Sequence, residues 1–401
     1  MKNKLIIILV VLILLLGGVW VYLLLNGAPK SVADLRDNIF GKATTIAVAP
    51  SQTSPIETVV PDDNTPRTVP TKAQLVKLTD RITAGATFAS TSAGVVVRYV
   101  VKGTGHVYEI NLESGKETRI SGRVLPQVVE AHWSPLGTRA ILITDDSGLP
   151  GDTFLATLQV NNSGEMLFDT EKIGAIENTA FTSAGDQLLY TQKNAGGGTT
   201  GFSRSLRTGA IAELFSVPFG ESAMLWDTWV AGTSTLHYIY TKPALGFMGY
   251  LYALEKGGLR KVDSAYTLTA LRTDHDTFIV NKRTGGGPYG LLLDMKKGTG
   301  NFLSIQTLSE KCGGVGDTVW CGTVQDAVSE SFPIDWYQGA VTFADSLYRI
   351  DKRTGDAKFI LDPEVVSRER IDITDLIVSE NGPIIFKNKE DDALWLFNPP
   401  S

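Results

Sequence analysis

The sequence is short of the residues that most often do chemistry. It holds two cysteines and four histidines among 401 residues. Cys312 and Cys321 have no histidine close by in sequence, so a zinc centre of the Cys/His kind is not expected. His106, His132, His237 and His275 are scattered, and His132, beside Trp133, reads as a packed core residue. No G-x-S-x-G, no H-E-x-x-H, no P-loop and no G-x-G-x-x-G after a strand is present. Their absence removes the common hydrolase, metalloprotease and nucleotide-binding readings. No catalytic residue, cofactor or metal is therefore assigned. Asp145-Asp146 with Asp152, and Asp391-Asp392, lack the regular spacing of a calcium loop and read as solvated turns. Positive charge is not in excess: 37 Lys and Arg stand against 43 Asp and Glu, a net −6. With neither a basic balance nor a basic block, nucleic acid is not expected as a partner. After residue 74 no long helical pattern appears.

What is abundant comes first as one uncharged apolar run, from Leu5 to Leu25 (residues 5–25), about 21 residues at a rise of 1.5 Å each and so roughly 31 Å long. That length crosses a hydrocarbon core of about 30 Å. It exceeds the apolar region of a cleavable signal peptide. Leu24-Asn26-Ala28 offers no small-x-small cleavage site, and no cysteine follows for lipidation. Trp20 and Tyr22 suit the outer interface. Lys2 and Lys4 precede the run, while the stretch after Lys30 mixes both signs, so residues 1–4 are expected in the cytoplasm and the rest outside. The expected location is the cell membrane, single-pass, with an extracytoplasmic head. Residues 26–72 read as a linker, with a possible short helix over 32–40, where Ser31 and Asp34 resemble a capping box. Pro50, Pro55, Pro61, Pro66 and Pro70 make the rest either an extended stalk or a tail without a spacing role.

From residue 73 to 401 the pattern is a repeat of short strands punctuated by Gly, Asp, Asn and Ser. Ala131-His132-Trp133, the turn Ser134-Pro135-Leu136-Gly137 and the strand from Arg139 to Thr144 form one instance. Thr179-Ala180-Phe181 with Thr182-Ser183-Ala184-Gly185, and Leu376-Ile377-Val378 with Ser379-Glu380-Asn381-Gly382, repeat it. Second strands are expected to start near Val95, Thr138, Gln187, Thr235, Thr277, Thr318 and Pro383. Most intervals are about 41 to 49 residues, the length of a four-stranded propeller blade. The expected fold is all-β, a seven-bladed β-propeller, with a long insertion between the last two starts.

Trp133-Ser134-Pro135-Leu136-Gly137 resembles the W-S-P-D-G signature of TolB-type, WD40-like propeller repeats, with Leu136 where the family usually has Asp. The run, the Pro-rich segment and Trp336-Tyr337-Gln338-Gly339 are similar to membrane-anchored exported bacterial propellers. The resemblance implies a propeller and names no ligand.

Two features follow from the strands themselves. The last unit ends on its third strand, 393–397, while residues 74–78 form a spare strand before the first unit. Pairing the two closes the ring and leaves no open edge. In the sixth unit, a turn at Gly316-Asp317 sets Cys312 opposite Cys321 at a non-hydrogen-bonded site, within reach of a disulfide. The expected oxidising compartment favours the bridge over two free thiols.

The loops joining second to third strands are the unusual ones, and they carry Phe247, Arg283, Tyr289, Phe332, Trp336 and Tyr337. Aromatics on Gly-rich loops of a rigid scaffold serve either recognition or local packing. Lys102, Lys193, Lys242, Lys282 and Arg283 recur where second strands end, so that face is expected to be locally basic. Three functions remain open. One is a membrane-tethered, non-enzymatic module binding a protein, peptide or envelope polymer. The second is a lyase or glycosidase type of enzyme with its site in the central channel. The third is a purely structural envelope element. Carboxylates and Arg converging at the channel mouth favour the enzyme; an exposed aromatic patch without them favours binding.

Overall fold

The chain divides into two compact units, Met1–Asp63 and Asn64–Ser401. A computed structural model describes residues 67–401 except 146–150, 161–165, 227–235, 256–257, 285–286, 326–327, 381 and 401. The apolar run at 5–25, the short helix expected at 32–40 and the Pro-rich segment up to residue 66 lie outside the described residues. Among the described residues no helix is long and apolar enough to cross a membrane.

The second unit is an all-β propeller built of antiparallel sheets in which consecutive strands pair. Val-rich and Ile-rich second strands explain the layering. Gly94–Val101 and Arg139–Thr144 are apolar on both faces and buried along most of their length. A strand with no polar face must be covered on both sides. The apolar clusters accordingly lie between successive sheets. Val97 and Tyr99 of the first sheet pack with Ile385, Leu394 and Leu396 of the last. Val100 and Val107 pack with Ala140, Leu142 and Ala156 of the next.

The repeated turn is held the same way each time. In Ser134–Gly137 the Gly137 amide donates to the Ser134 carbonyl at 2.8 Å, and the Ser134 amide to the Arg139 carbonyl at 2.8 Å. Thr182 with Gly185, and Ser379 with Gly382, repeat the first bond at 2.8 and 3.0 Å. Gly137 needs its glycine twice over: φ is +64°, and a Cβ there would sit 2.8 Å from the Ala89 Cβ of the neighbouring sheet. Leu136 is exposed, so its departure from Asp costs the turn nothing.

Second strands begin at Gly94, Arg139, Gln187, His237, Thr277, Thr318 and Ile384, within two residues of the expected starts. The expected count of seven separate blades is corrected, however. Among the described residues five sheets have four or five strands, and the remaining seven strands form a single sheet. The cause is one long strand, Gly258–Arg272. Its first half pairs with Met248–Glu255 and its second half with Thr277–Thr284, the register shifting between Tyr266 and Thr269. No turn residue interrupts Ala265-Tyr266-Thr267-Leu268, so the chain passes from one unit to the next without leaving the ladder.

Leu75–Thr79 pairs antiparallel with Leu394–Phe397, supplying the fourth strand of the last sheet. Before it, Arg67–Thr68 pairs with Lys116 and Glu117 on the outer edge of the first sheet. Val69 and Thr71 are buried there. The packed part of the unit thus begins inside the segment read as linker. Cys312 and Cys321 are register partners in the hairpin Cys312–Val315 / Thr318–Val324 and form a disulfide with S–S 2.08 Å. Its loop is short, and by the chain-entropy account it contributes about 2–3 kcal/mol.

Candidate functional site

The first strands of four sheets carry the same irregularity, and the long strand Gly258–Arg272 has one too. Register shifts fall between Thr83 and Gly85, Val128 and Glu130, Glu177 and Ala180, Tyr266 and Thr269, and Thr374 and Ile377. Asn178, Thr267 and Asp375 within three of these bulges have φ of +46°, +51° and +50°. A bulge adds one residue and re-aims the side chains beside it. Glu130, Thr179 and Asp375, at three of these bulges, line one cavity. At Gly85 the strands come so close that a Cβ would lie 2.0 Å from the Ala131 carbonyl oxygen, so only glycine fits.

Between these strands lies a cavity of about 570 Å³ lined from five sheets, with Glu130, His132, Glu310, Asp375 and Lys387 as its ionisable groups. The half-buried Trp133 adds aromatic surface, Phe181 lines the wall from within a core cluster, and Thr87 and Thr179 add hydroxyls. His132 is a correction to the sequence reading. It is not packed in the core: its side chain is 47% exposed and sits 3.3 Å from Glu130. Ala131 between them is buried, as alternation after the bulge requires. The hydrogen bond with His132, helped by the charges of Lys387 and Lys102, holds the Glu130 carboxyl below its ordinary pKa. Lys387 bonds Asp375 at 2.9 Å and lies 3.7 Å from Asp392. Burial opposes its charge, but these carboxylates and Glu130 outweigh burial and raise its pKa.

Glu310 reaches the cavity from the 3-10 turn Ser309–Lys311, which opens the hairpin of Cys312–Val315 and Thr318–Val324. Its carboxylate accepts from the Ser309 hydroxyl at 2.7 Å and from the Tyr337 hydroxyl at 2.9 and 2.8 Å. Burial, then the Glu310 charge, raises the pKa of Tyr337 and of Tyr240, so both phenols keep their protons. Tyr337 comes from the long insertion. That segment turns at the cis bond Phe332–Pro333 into the helix Ile334–Tyr337.

The insertion's aromatics divide by role. Phe332 and Trp336 are buried with Leu308, Val324 and Phe343 in a small core of their own and offer no surface to a partner. Trp336 Nε1 donates to Asp372 at 2.8 Å. Lys311, fully buried, pairs with both Asp345 and Asp372. One face of the 3-10 turn is thus pinned in the core, while its neighbour Glu310 faces the cavity. Tyr337 keeps 37% of its surface, and Phe247 keeps 71% beside Leu245 and Met248. Tyr289 packs on Phe302 with ring centroids 5.7 Å apart, and Arg283 donates to the Ser329 carbonyl at 3.2 Å. Tyr289 and Phe332 also share a cleft of about 10 Å³, no larger than one water.

The face expected to be basic is neutralised. Lys102 meets Asp392 at 2.7 Å, Lys193 meets Glu221 at 3.0 Å and Lys242 lies 3.9 Å from Glu221. Lys282 pairs with Asp263. Each acid comes from a loop or strand distant in sequence, which a count of basic strand ends does not register. Among the described residues no group of three or more His, Cys, Asp or Glu is placed to hold a metal ion. Sequence reasoning missed Glu310. Its only signal was a charged pair, Glu310-Lys311, directly before Cys312.

No protein-family model and no curated protein matches the chain. Solved structures do. The β-propeller domain of the Trilobed protease from Pyrococcus furiosus is 12% identical with a TM-score of 0.51, covering 79% of this chain and 94% of that one. An oligogalacturonate lyase from Vibrio parahaemolyticus is 9% identical with a TM-score of 0.55, covering 84% and 99%. An oligogalacturonate lyase in complex with manganese is 10% identical with a TM-score of 0.54, covering 84% and 98%. At these identities the likeness is one of fold. The Pyrococcus domain is described as having an open velcro topology. Here Leu75–Thr79 hydrogen-bonds to Leu394–Phe397.

Proposed function

We propose that this chain is a membrane-tethered, extracytoplasmic propeller of the TolB-like kind that binds an envelope glycan in its axial cavity. The reading takes residues 5–25 as the anchor. One observation carries it: a cavity of about 570 Å³ whose wall mixes carboxylates and hydroxyls with the half-buried Trp133. That volume falls within the roughly 300–1,000 Å³ of small-ligand sites. Hydroxylated rings are recognised by just this pairing of hydrogen-bonding side chains with flat apolar faces. A protein partner would need a patch of about 800 Å² on this side. Two of the six aromatic and basic residues proposed for such a patch, Phe332 and Trp336, are buried.

An enzymatic reading is also supported, by the Glu310–Tyr337 pair. Glu310 lines the cavity and accepts the Tyr337 hydroxyl at 2.8–2.9 Å, and a carboxylate backed by a phenol is a pair that acid–base chemistry on a sugar employs. Binding of purified envelope oligosaccharides to the head domain, followed by calorimetry and by product analysis, tests both. Saturable binding that weakens in Glu130→Gln supports the cavity reading, and conversion of the bound sugar promotes the enzyme. Absence of binding to every envelope glycan overturns it.

A further inference from the structure

The charges on the cavity wall say what kind of glycan fits, an inference that rests on the cavity being the binding site. Asp375 and Lys387 cancel each other at 2.9 Å. Glu130 has His132 beside it at 3.3 Å, which adds positive charge only when protonated. Glu310 has no ion pair among the described residues. All its hydrogen bonds come from neutral hydroxyls, those of Ser309 and Tyr337. Hydroxyl donors stabilise a carboxylate without cancelling its charge. The wall is therefore left with an excess of negative charge.

A second and independent feature points to an absent partner. Thr179, in the same wall, has a hydroxyl that is buried and has no hydrogen-bond partner among the described residues. Buried polar atoms are normally paired. Trp133 and Phe181 line the cavity as well. Aromatic faces near carboxylates are the usual surroundings of a bound ammonium group.

We infer that the ligand carries a positive charge on a hydroxylated frame, a de-N-acetylated amino sugar, and that Glu310 receives its ammonium group. An N-acetylated sugar of the same length would place a neutral amide against an uncompensated carboxylate and gain less.

The test is titration calorimetry on the full chain with a glucosamine tetrasaccharide and an N-acetylglucosamine tetrasaccharide. The expected result is binding of the cationic oligomer about tenfold or more tighter than the acetylated one, with the difference shrinking as salt is raised. Glu310→Gln should reduce the preference to less than about twofold, read as the ratio of the two affinities in the same protein. Equal affinity of the two oligomers for the wild-type protein overturns the charge inference and leaves the glycan reading standing. No binding of either, together with no binding of other envelope glycans, overturns both. A preference retained undiminished in a folded Glu310→Gln protein overturns the assignment to Glu310. The wild-type comparison needs no variant, so it decides even if the substitution prevents folding.

Discussion

Lys311 is wholly buried between two buried aspartates. Asp345 Oδ2 is 2.5 Å away and also accepts from the Ile373 amide at 2.8 Å. Asp372 accepts from Lys311, from Trp336 Nε1 and from the Phe343 amide. Two carboxylates on one ammonium leave a net negative charge in the core, and Asp345 Oδ1 has no partner among the described residues. Burial, opposed by Lys311 and aided by the Asp372 charge, pushes Asp345 up to about 6. The folded state thus holds this proton more tightly than the unfolded chain, whose Asp titrates near 3.8. The stability it contributes is full below about pH 4 and is lost as pH rises toward 6, on the order of 3 kcal/mol in all. Urea unfolding at pH 4, 5, 6 and 7 should show wild type losing that much relative to Asp345→Asn. Parallel curves would refute it. None of this was visible in the sequence. Lys311 and Trp336 meet Asp372 from 61 and 36 residues away, and an aromatic on a loop looks alike whether it ends in solvent or beneath a fold of its own chain. The cysteine pair was legible for the opposite reason: nine residues and a turn decide the register.

At the scale of elements, strands were read well and their grouping less so. Second strands announce themselves because burial on both faces demands an unbroken apolar run, which no loop shares. The boundary between two units is marked only by its turn, and where Gly258–Arg272 runs straight through, the pattern shows two strands and the ladder shows one. The same reasoning applies to the ends. Leu75–Thr79 carries Leu78 and Val76, both buried in the cluster between the last sheet and the first. Burying each such side chain is worth about 1.5–3 kcal/mol, and losing the strand bares the edge Leu394–Phe397. Arg67–Thr68 contributes far less, a two-residue ladder that is exposed. A protein starting at residue 73 should melt within about 5 °C of one starting at 64, whereas one starting at 80 should melt at least about 10 °C lower or aggregate. Calorimetry of the three forms checks this. Equal melting of the second and third would mean that the strand only decorates the ring.

The molecule as a whole combines a head whose architecture is described with an apolar run whose role is proposed. The head's apolar clusters between its sheets are built from residues Val69 onward. The run at 5–25 has the length and composition of a bilayer span. Removing residues 1–30 should therefore move the protein from the membrane to the soluble fraction while leaving its melting temperature unchanged. Orientation can be read from the protein's own chemistry. Cys312 and Cys321 are bonded and buried in one cluster with Ile279, Val319 and Ile350. A head kept in the cytosol would meet a reducing pool while it folds, and a head outside it would not. Trapping free thiols in intact cells with a permeant alkylating reagent, then denaturing the protein, should leave both cysteines of the full chain unlabelled. The form lacking residues 1–30, retained in the cytosol, should be labelled at both. Labelling of the full chain as complete as that of the truncated form would place the head inside the cell, and with it the axial cavity would lose its access to envelope glycans.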